Sequence, residues 1–125
     1  MKRLIAAGIL FAVIIGFCIT GSIVVGNTYK EFEKKTEEYG EIYATDPDST
    51  AKRFKELKKD WEKRENYLSL FVNHEIADDI SVALSRTASY AESKCDAAFY
   101  AELAAAKTTL HQMIEDQKIS AHSIF

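Results

Sequence analysis

Between Leu4 and Val25 the chain runs for 22 residues without a charged side chain, directly behind Met1-Lys2-Arg3. As a helix rising about 1.5 Å per residue, such a run spans about 33 Å, enough for the roughly 30 Å hydrocarbon core of a bilayer. Residues 1–26 therefore read as a membrane anchor, with Leu4, Ile9, Phe11, Ile14, Phe17 and Val25 among its apolar positions. The competing reading is a cleaved signal peptide, for which Thr20-Gly21-Ser22 and Val24-Val25-Gly26 are passable cleavage sites. Signal peptides carry shorter apolar segments, about 7–15 residues, so the length favours a retained anchor. Bulky Phe17 in front of Cys18 argues against lipoprotein processing.

Lysine and arginine are nearly balanced across the span, with Lys2 and Arg3 before it and Lys30, Lys34 and Lys35 after it. Proximity decides the orientation, because Lys2, Arg3 and the terminal amine abut the apolar run. The expected topology is a single-pass protein of the cell membrane, with the N-terminus in the cytoplasm and the domain outside.

Removing Lys2 and Arg3 from 16 basic groups leaves 14 against 19 acidic ones in residues 27–125, a net charge of −5. That balance argues against general binding of nucleic acid or anionic lipid, both of which need excess lysine and arginine. Of the two cysteines, Cys18 lies in the apolar run, so Cys95 has no partner for an internal disulfide. It is expected as a half-buried helical residue, the alternative being a bridge between molecules.

Beyond the anchor the apolar residues keep helical spacing almost throughout. Tyr29, Phe32, Thr36, Tyr39 and Tyr43 alternate by three and four, placing them on one face of a helical stalk over residues 27–45. Glu31 and Lys35 are set to pair across a turn. The only proline follows in Asp46-Pro47-Asp48, where Asp46 suits an N-cap and Pro47 a first turn, so a helical domain begins over 46–125. Its first stripe is Phe54, Leu57, Trp61, Arg64, Leu68 and Phe71, with Arg64 at the edge. Seven basic residues from Lys52 to Arg64 make this segment positive, whereas residues 75–116 hold eight acids and three bases. The simple account is one bundle in which the basic helix lies beside acidic neighbours.

A further stripe, Ile76, Ile80, Leu84, Thr87 and Ala91, follows with no Gly or Pro before it, leaving one bent helix or two joined at Asn73 both open. Ser93-Lys94-Cys95-Asp96 is a clearer break, with Asp96 a plausible N-cap, and Phe99, Leu103, Ala106, Leu110 and Met113 mark an alanine-rich last helix. No segment alternates like a strand. The fold expected is all-α: an N-terminal transmembrane helix continuing into a stalk, then a small antiparallel bundle or stacked helical hairpins.

The order of basic helix with Trp61, then Leu70-Phe71-Val72-Asn73-His74-Glu75-Ile76, then a last helix around Ala101-Glu102-Leu103, closing on Ile124-Phe125, resembles a bacterial family of short helical proteins, the domain of unknown function 4363. The resemblance covers essentially the whole chain. It implies a Gram-positive, single-anchor membrane protein and supports a membrane-protein partner; it implies no activity.

His74-Glu75-Ile76-Ala77-Asp78 is the most chemically suggestive segment. On a helix His74 and Asp78 share a face at the spacing zinc peptidases use for two ligands, with Glu75 placed as the base. A carboxylate in place of the second histidine makes a weaker, less zinc-selective pair, and the third ligand would have to come from His111 or Glu115. The simpler role for Asn73, His74 and Glu75 is capping or linking helices; His122 adds little. No nucleophilic triad or glycine-rich phosphate loop is readable, so no catalytic residue and no cofactor is expected. Ser123-Ile124-Phe125 has the form of a tail captured by strand addition, though Ile119, Ile124 and Phe125 more simply cover the bundle end.

Three classes follow. The first is a non-enzymatic accessory or interaction subunit of a membrane complex, whose interaction face comprises Tyr29, Phe32, Tyr39, Tyr43, Trp61 and Phe71, packed either on its own bundle or on a partner, including a second copy. The second is a sensor-like ligand-binding bundle acting through a partner. The third is a metal-dependent hydrolase using His74, Glu75 and Asp78. The first explains the aromatic stalk best.

Overall fold

The computed structural model describes the backbone of residues 1–124 and the side chains of residues 1–118. Four helices follow one another: α1 Lys2–Tyr43, α2 Pro47–Leu68, α3 His74–Glu92 and α4 Asp96–Ile124. The main packings are α1 with α2, α2 with α3, α3 with α4, and α4 back on α1. Short turns between successive helices make this an up-down-up-down bundle. The α2–α3 turn lies at the end beside the apolar run, the near end; the α1–α2 and α3–α4 turns lie at the far end.

Anchor and stalk form one uninterrupted helix of 42 residues, and Gly26 does not break it. A stripe along its second half faces the other helices: Gly21, Val25, Thr28, Phe32, Thr36, Gly40 and Tyr43 are buried. The centre of this stripe differs from the aromatic series read in the sequence. Tyr29 and Tyr39 flank it half-buried, and small Thr28 and Gly40 take the middle. Tyr29 can then keep its hydroxyl at the edge, near the Glu33 carboxylate. Gly40 lets α4 approach, since a Cβ there would come within 2.7 Å of Leu103 Cδ2.

The core is aromatic along its length. Phe32 meets Trp61 edge-on at 5.2 Å between centroids, Tyr39 meets Phe54 at 5.6 Å, and Tyr43 stacks on Phe99 at 3.9 Å. Trp61 is fully buried and its indole N–H donates to the Ala77 carbonyl at 2.9 Å, so the largest side chain leaves no polar atom unpaired. Three buried threonines return their hydroxyls to backbone carbonyls of their own helices or caps: Thr36 to Glu33, Thr50 to Asp46 and Thr87 to Ala83. This is why threonine can sit on otherwise apolar stripes.

The turns show what ends each helix. Asp46 caps α2 by accepting from the Ser49 N–H at 3.1 Å, with Pro47 in the first turn. The open question at Asn73 resolves as two helices: its side chain accepts the Glu75 N–H at 2.8 Å and caps α3. At the α3–α4 turn Lys94 takes a left-handed backbone, φ 59°, and the Cys95 N–H returns to the Tyr90 carbonyl at 3.1 Å. Asp96 is not the cap expected from the sequence. It is the first residue of α4, and its carboxylate accepts the Tyr43 hydroxyl at 2.5 Å, tying α1 to α4 at the far end.

Candidate functional site

The face proposed from the sequence for interaction belongs mainly to the core of the bundle. Phe32 and Trp61 are fully buried and Tyr43 nearly so, while Tyr29, Tyr39 and Phe71 are half-buried against the same core. The partner for this aromatic stripe is therefore the chain's own bundle. Among the described residues beyond the apolar run, the large apolar side chains left exposed are Tyr67, Leu70, Val82 and Tyr100.

His74 and Asp78 share one face, as the spacing demands, with Nε2 and Oδ2 3.4 Å apart. Both are largely exposed, and His111 pairs instead with Glu115 at 3.8 Å within α4. Among the described residues, no three His, Cys, Asp or Glu side chains come together in a way that could hold a metal. Cys95 is exposed at the far-end turn rather than half-buried, because the left-handed residue before it turns the chain outward. The expectations placed on Ile119, His122 and Ser123-Ile124-Phe125 lie outside the described side chains.

Charge organises the flanks of α2. Arg64 lies over the Phe32 ring, 5.2 Å from its centroid, and holds both oxygens of Glu31, with Asp60 at 3.3 Å. The Arg64 hydrogen bonds, aided by Lys35, keep the Glu31 carboxyl below its ordinary value of 4.5. On the other flank Lys55 reaches Glu92 at 3.0 Å. Lys55, Lys58, Lys59, Ser85, Ser89 and Glu92 line a shallow groove of about 400 Å³ between α2 and α3. Lys55 pairs with Glu92 and Lys58 with Glu62 across open surface, the arrangement of a solvated bundle flank.

The near end gathers the most unusual features. The apolar run does not stop where the bundle starts: the Phe17 and Phe71 rings pack with centroids 4.7 Å apart. One turn on, Gly21 receives the edge of the Phe71 ring where any Cβ would collide with it. Ser22 and Gln117 exchange hydrogen bonds at 3.2–3.3 Å, closing α4 onto α1 at the same level. Beside these contacts Leu70 is 63 % exposed and Tyr67 43 % exposed. Half-buried Glu65 lies one turn from this end with one oxygen unpartnered, and burial together with nearby Asp78 pushes its carboxyl up. Sequence reasoning missed Tyr67, Leu70 and Gly21. Leu70 falls between the stripe positions Leu68 and Phe71, off the stripe, so spacing gave no signal for it.

Among the described residues, α1 is the one helix long and apolar enough to cross a membrane, a property shared by signal sequences. Comparison with curated proteins and with solved structures gives no match. A family of unknown function, DUF4363, matches residues 21–124. Its match opens at Gly21, where the buried stripe of α1 also opens. With the bundle from Gly21 onward inside that match, the chain belongs to the DUF4363 family of domains of unknown function.

Proposed function

We propose that this protein is a non-enzymatic accessory or interaction subunit, anchored in the cell membrane by the first half of α1, with its four-helix bundle held on the outer face. The observation that carries the reading is the continuity of α1. Its first half exposes apolar side chains all round, Leu4, Ile9, Leu10, Phe11, Val13 and Ile14 among them, while its second half is a core helix of the bundle. A helix apolar on every face requires an apolar surrounding, and lipid supplies one. Because no linker intervenes, the bundle is fixed in height and orientation relative to the apolar run. This suits a domain that presents a surface to a membrane neighbour better than one that ranges for a distant ligand. The proximity of Lys2 and Arg3 to the run supports a cytoplasmic N-terminus.

The test is affinity purification of tagged full-length protein from gently solubilised native membranes, with cross-linking and mass spectrometry. A stoichiometric membrane-protein partner is expected. Recovery of the protein alone or only with itself would count against an accessory role. Protease added to intact cells should remove a C-terminal tag, and protection of the tag would reverse the orientation. Mature protein beginning near Ile23 or Asn27 would replace the anchor with a signal peptide. Replacing His74 by alanine should lower stability slightly and leave metal content unchanged.

A further inference from the structure

We infer that the α2–α3 turn, with Leu70 at its tip and Tyr67 beside it, is a second membrane contact that sits in the bilayer interface next to α1. The inference rests on the anchored reading of the apolar run and adds to it how deep the bundle sits.

Length alone forces the question. About 20 helical residues are needed to cross a hydrocarbon core of about 30 Å. Counted from Leu4, the first residue after Lys2 and Arg3, that crossing ends at Ile23. Yet the α2–α3 turn is already packed on α1 below this level, with Phe71 against Phe17 and Gly21. Those residues lie six and two positions before Ile23, or about 9 Å and 3 Å deeper along the helix axis. A crossing that uses the whole apolar run therefore carries the turn into the interface.

The composition of the turn agrees. Among the described residues beyond the apolar run, Leu70 is the most exposed large apolar side chain, and Phe71 bridges from it to α1. Tyr67 offers an apolar ring with a hydroxyl, the kind of side chain enriched at the headgroup level. The backbone is equally suited, because unpaired N–H groups are costly where water is scarce. Ser69, Leu70, Phe71 and Val72 each donate to a carbonyl of residues 65–68, at 2.9–3.2 Å, and the Ser69 hydroxyl donates to Asn66 at 3.2 Å. His74 and Glu75, polar and exposed, follow at once and set the limit of immersion at the interface rather than the core. The flanks carry both signs of charge, so the contact is apolar and a zwitterionic bilayer suffices.

The test is site-directed spin labelling of the full-length chain in phosphatidylcholine vesicles, with Cys18 and Cys95 replaced by alanine. Single cysteines are introduced as Leu70→Cys, Phe11→Cys and Tyr100→Cys, all at exposed positions. Accessibility to oxygen is compared with accessibility to a water-soluble nickel chelate. The expected pattern is a lipid-like ratio at position 11, an aqueous one at 100, and at 70 an oxygen-to-nickel ratio several-fold above that at 100. A fully aqueous label at 70 beside a lipid-like label at 11 would overturn the interfacial turn and leave the anchor standing. An aqueous label at 11 would overturn both. A label at 70 shielded from both reagents would mean that protein covers the turn, and would also overturn it. Leu70→Glu in the otherwise native chain gives an independent check. It should lift the turn out of the interface, seen as increased proteolysis between residues 66 and 76 in vesicles but not in detergent.

Discussion

The two halves of α1 are built from one unbroken helix and behave oppositely. Up to Thr20 its apolar side chains are on every face and largely uncovered; from Gly21 onward a single stripe is buried, and from Lys30 onward charged residues cover most of the rest. The second half contains less apolar material than the first, yet it contributes the core residues Val25, Phe32 and Tyr43. What matters for folding in water is the arrangement of apolar groups rather than their quantity, since a bundle can cover a stripe but not a cylinder. Small residues mark the change: Gly21 admits Phe71 of the α2–α3 turn and Gly40 admits Leu103 of α4, whereas Gly8 and Gly16 face nothing within 4 Å, as does Gly26 off the buried stripe of the second half.

Substitutions in the two halves can break this contrast. Trp61→Ala, opposite Phe32, should cost about 3–5 kcal/mol, while Phe11→Ala should leave bundle stability unchanged to within about 0.5 kcal/mol. Chemical unfolding of the full-length protein in non-ionic micelles, followed by circular dichroism, would show both; equal losses would erase the distinction. Gly21→Ala forces Phe71 to shift, and overpacking set against improved helix propensity leaves a net cost of about 1–2 kcal/mol. Gly16→Ala has no such neighbour and should be neutral in the same assay.

Smaller effects sharpen the picture of the bundle half. Arg64→Met keeps the apolar stem over Phe32 and removes the partner of Glu31, at a cost of about 1 kcal/mol or less for a pair this exposed. The Glu31 carboxyl is held low by Arg64, so its contribution is present above the ordinary value of 4.5 and is lost as pH falls through the folded value. The acid limb of a stability–pH curve should therefore flatten in Arg64→Met. At the other extreme, the hydrogen bond to Asp96 and burial push the Tyr43 hydroxyl from 10 up to about 12. The neutral hydroxyl is favoured in the fold, so this contribution is complete below pH 10 and disappears between pH 10 and about 12. Tyr43→Phe should lack that alkaline step in a melting series.

Much of the bundle could be read from the sequence because its helices announce themselves locally. The stripes through Phe54, Leu57 and Trp61 and through Ile80 and Leu84 required only spacing, and Asp46-Pro47 carried its own cap chemistry. The break before Asn73 could not be read this way. The four-residue steps from Leu68 to Ile80 continue across it, and what separates α2 from α3 is the return of the turn onto α1 after Leu68 together with the Asn73 cap that starts α3. Asp96 was misread for a related reason: a good capping residue was claimed by Tyr43, 53 positions away. The candidate site was the least legible part. The aromatic face of the stalk carried the strongest pattern and turned inward, whereas the exposed near-end residues Tyr67 and Leu70 belong to no stripe at all. Spacing identifies what a bundle buries; it says little about what the bundle leaves outside.

The central claim is that apolar run and bundle form one rigid unit through α1. Hydrogen–deuterium exchange of the full-length protein in lipid nanodiscs, resolved by mass spectrometry over residues 17–36, tests it most directly. Slow exchange should continue without interruption through Gly26 and Thr28 into the buried stripe at Phe32. A rapidly exchanging segment between Gly21 and Tyr29 would mean that anchor and bundle move independently, and the account would fail.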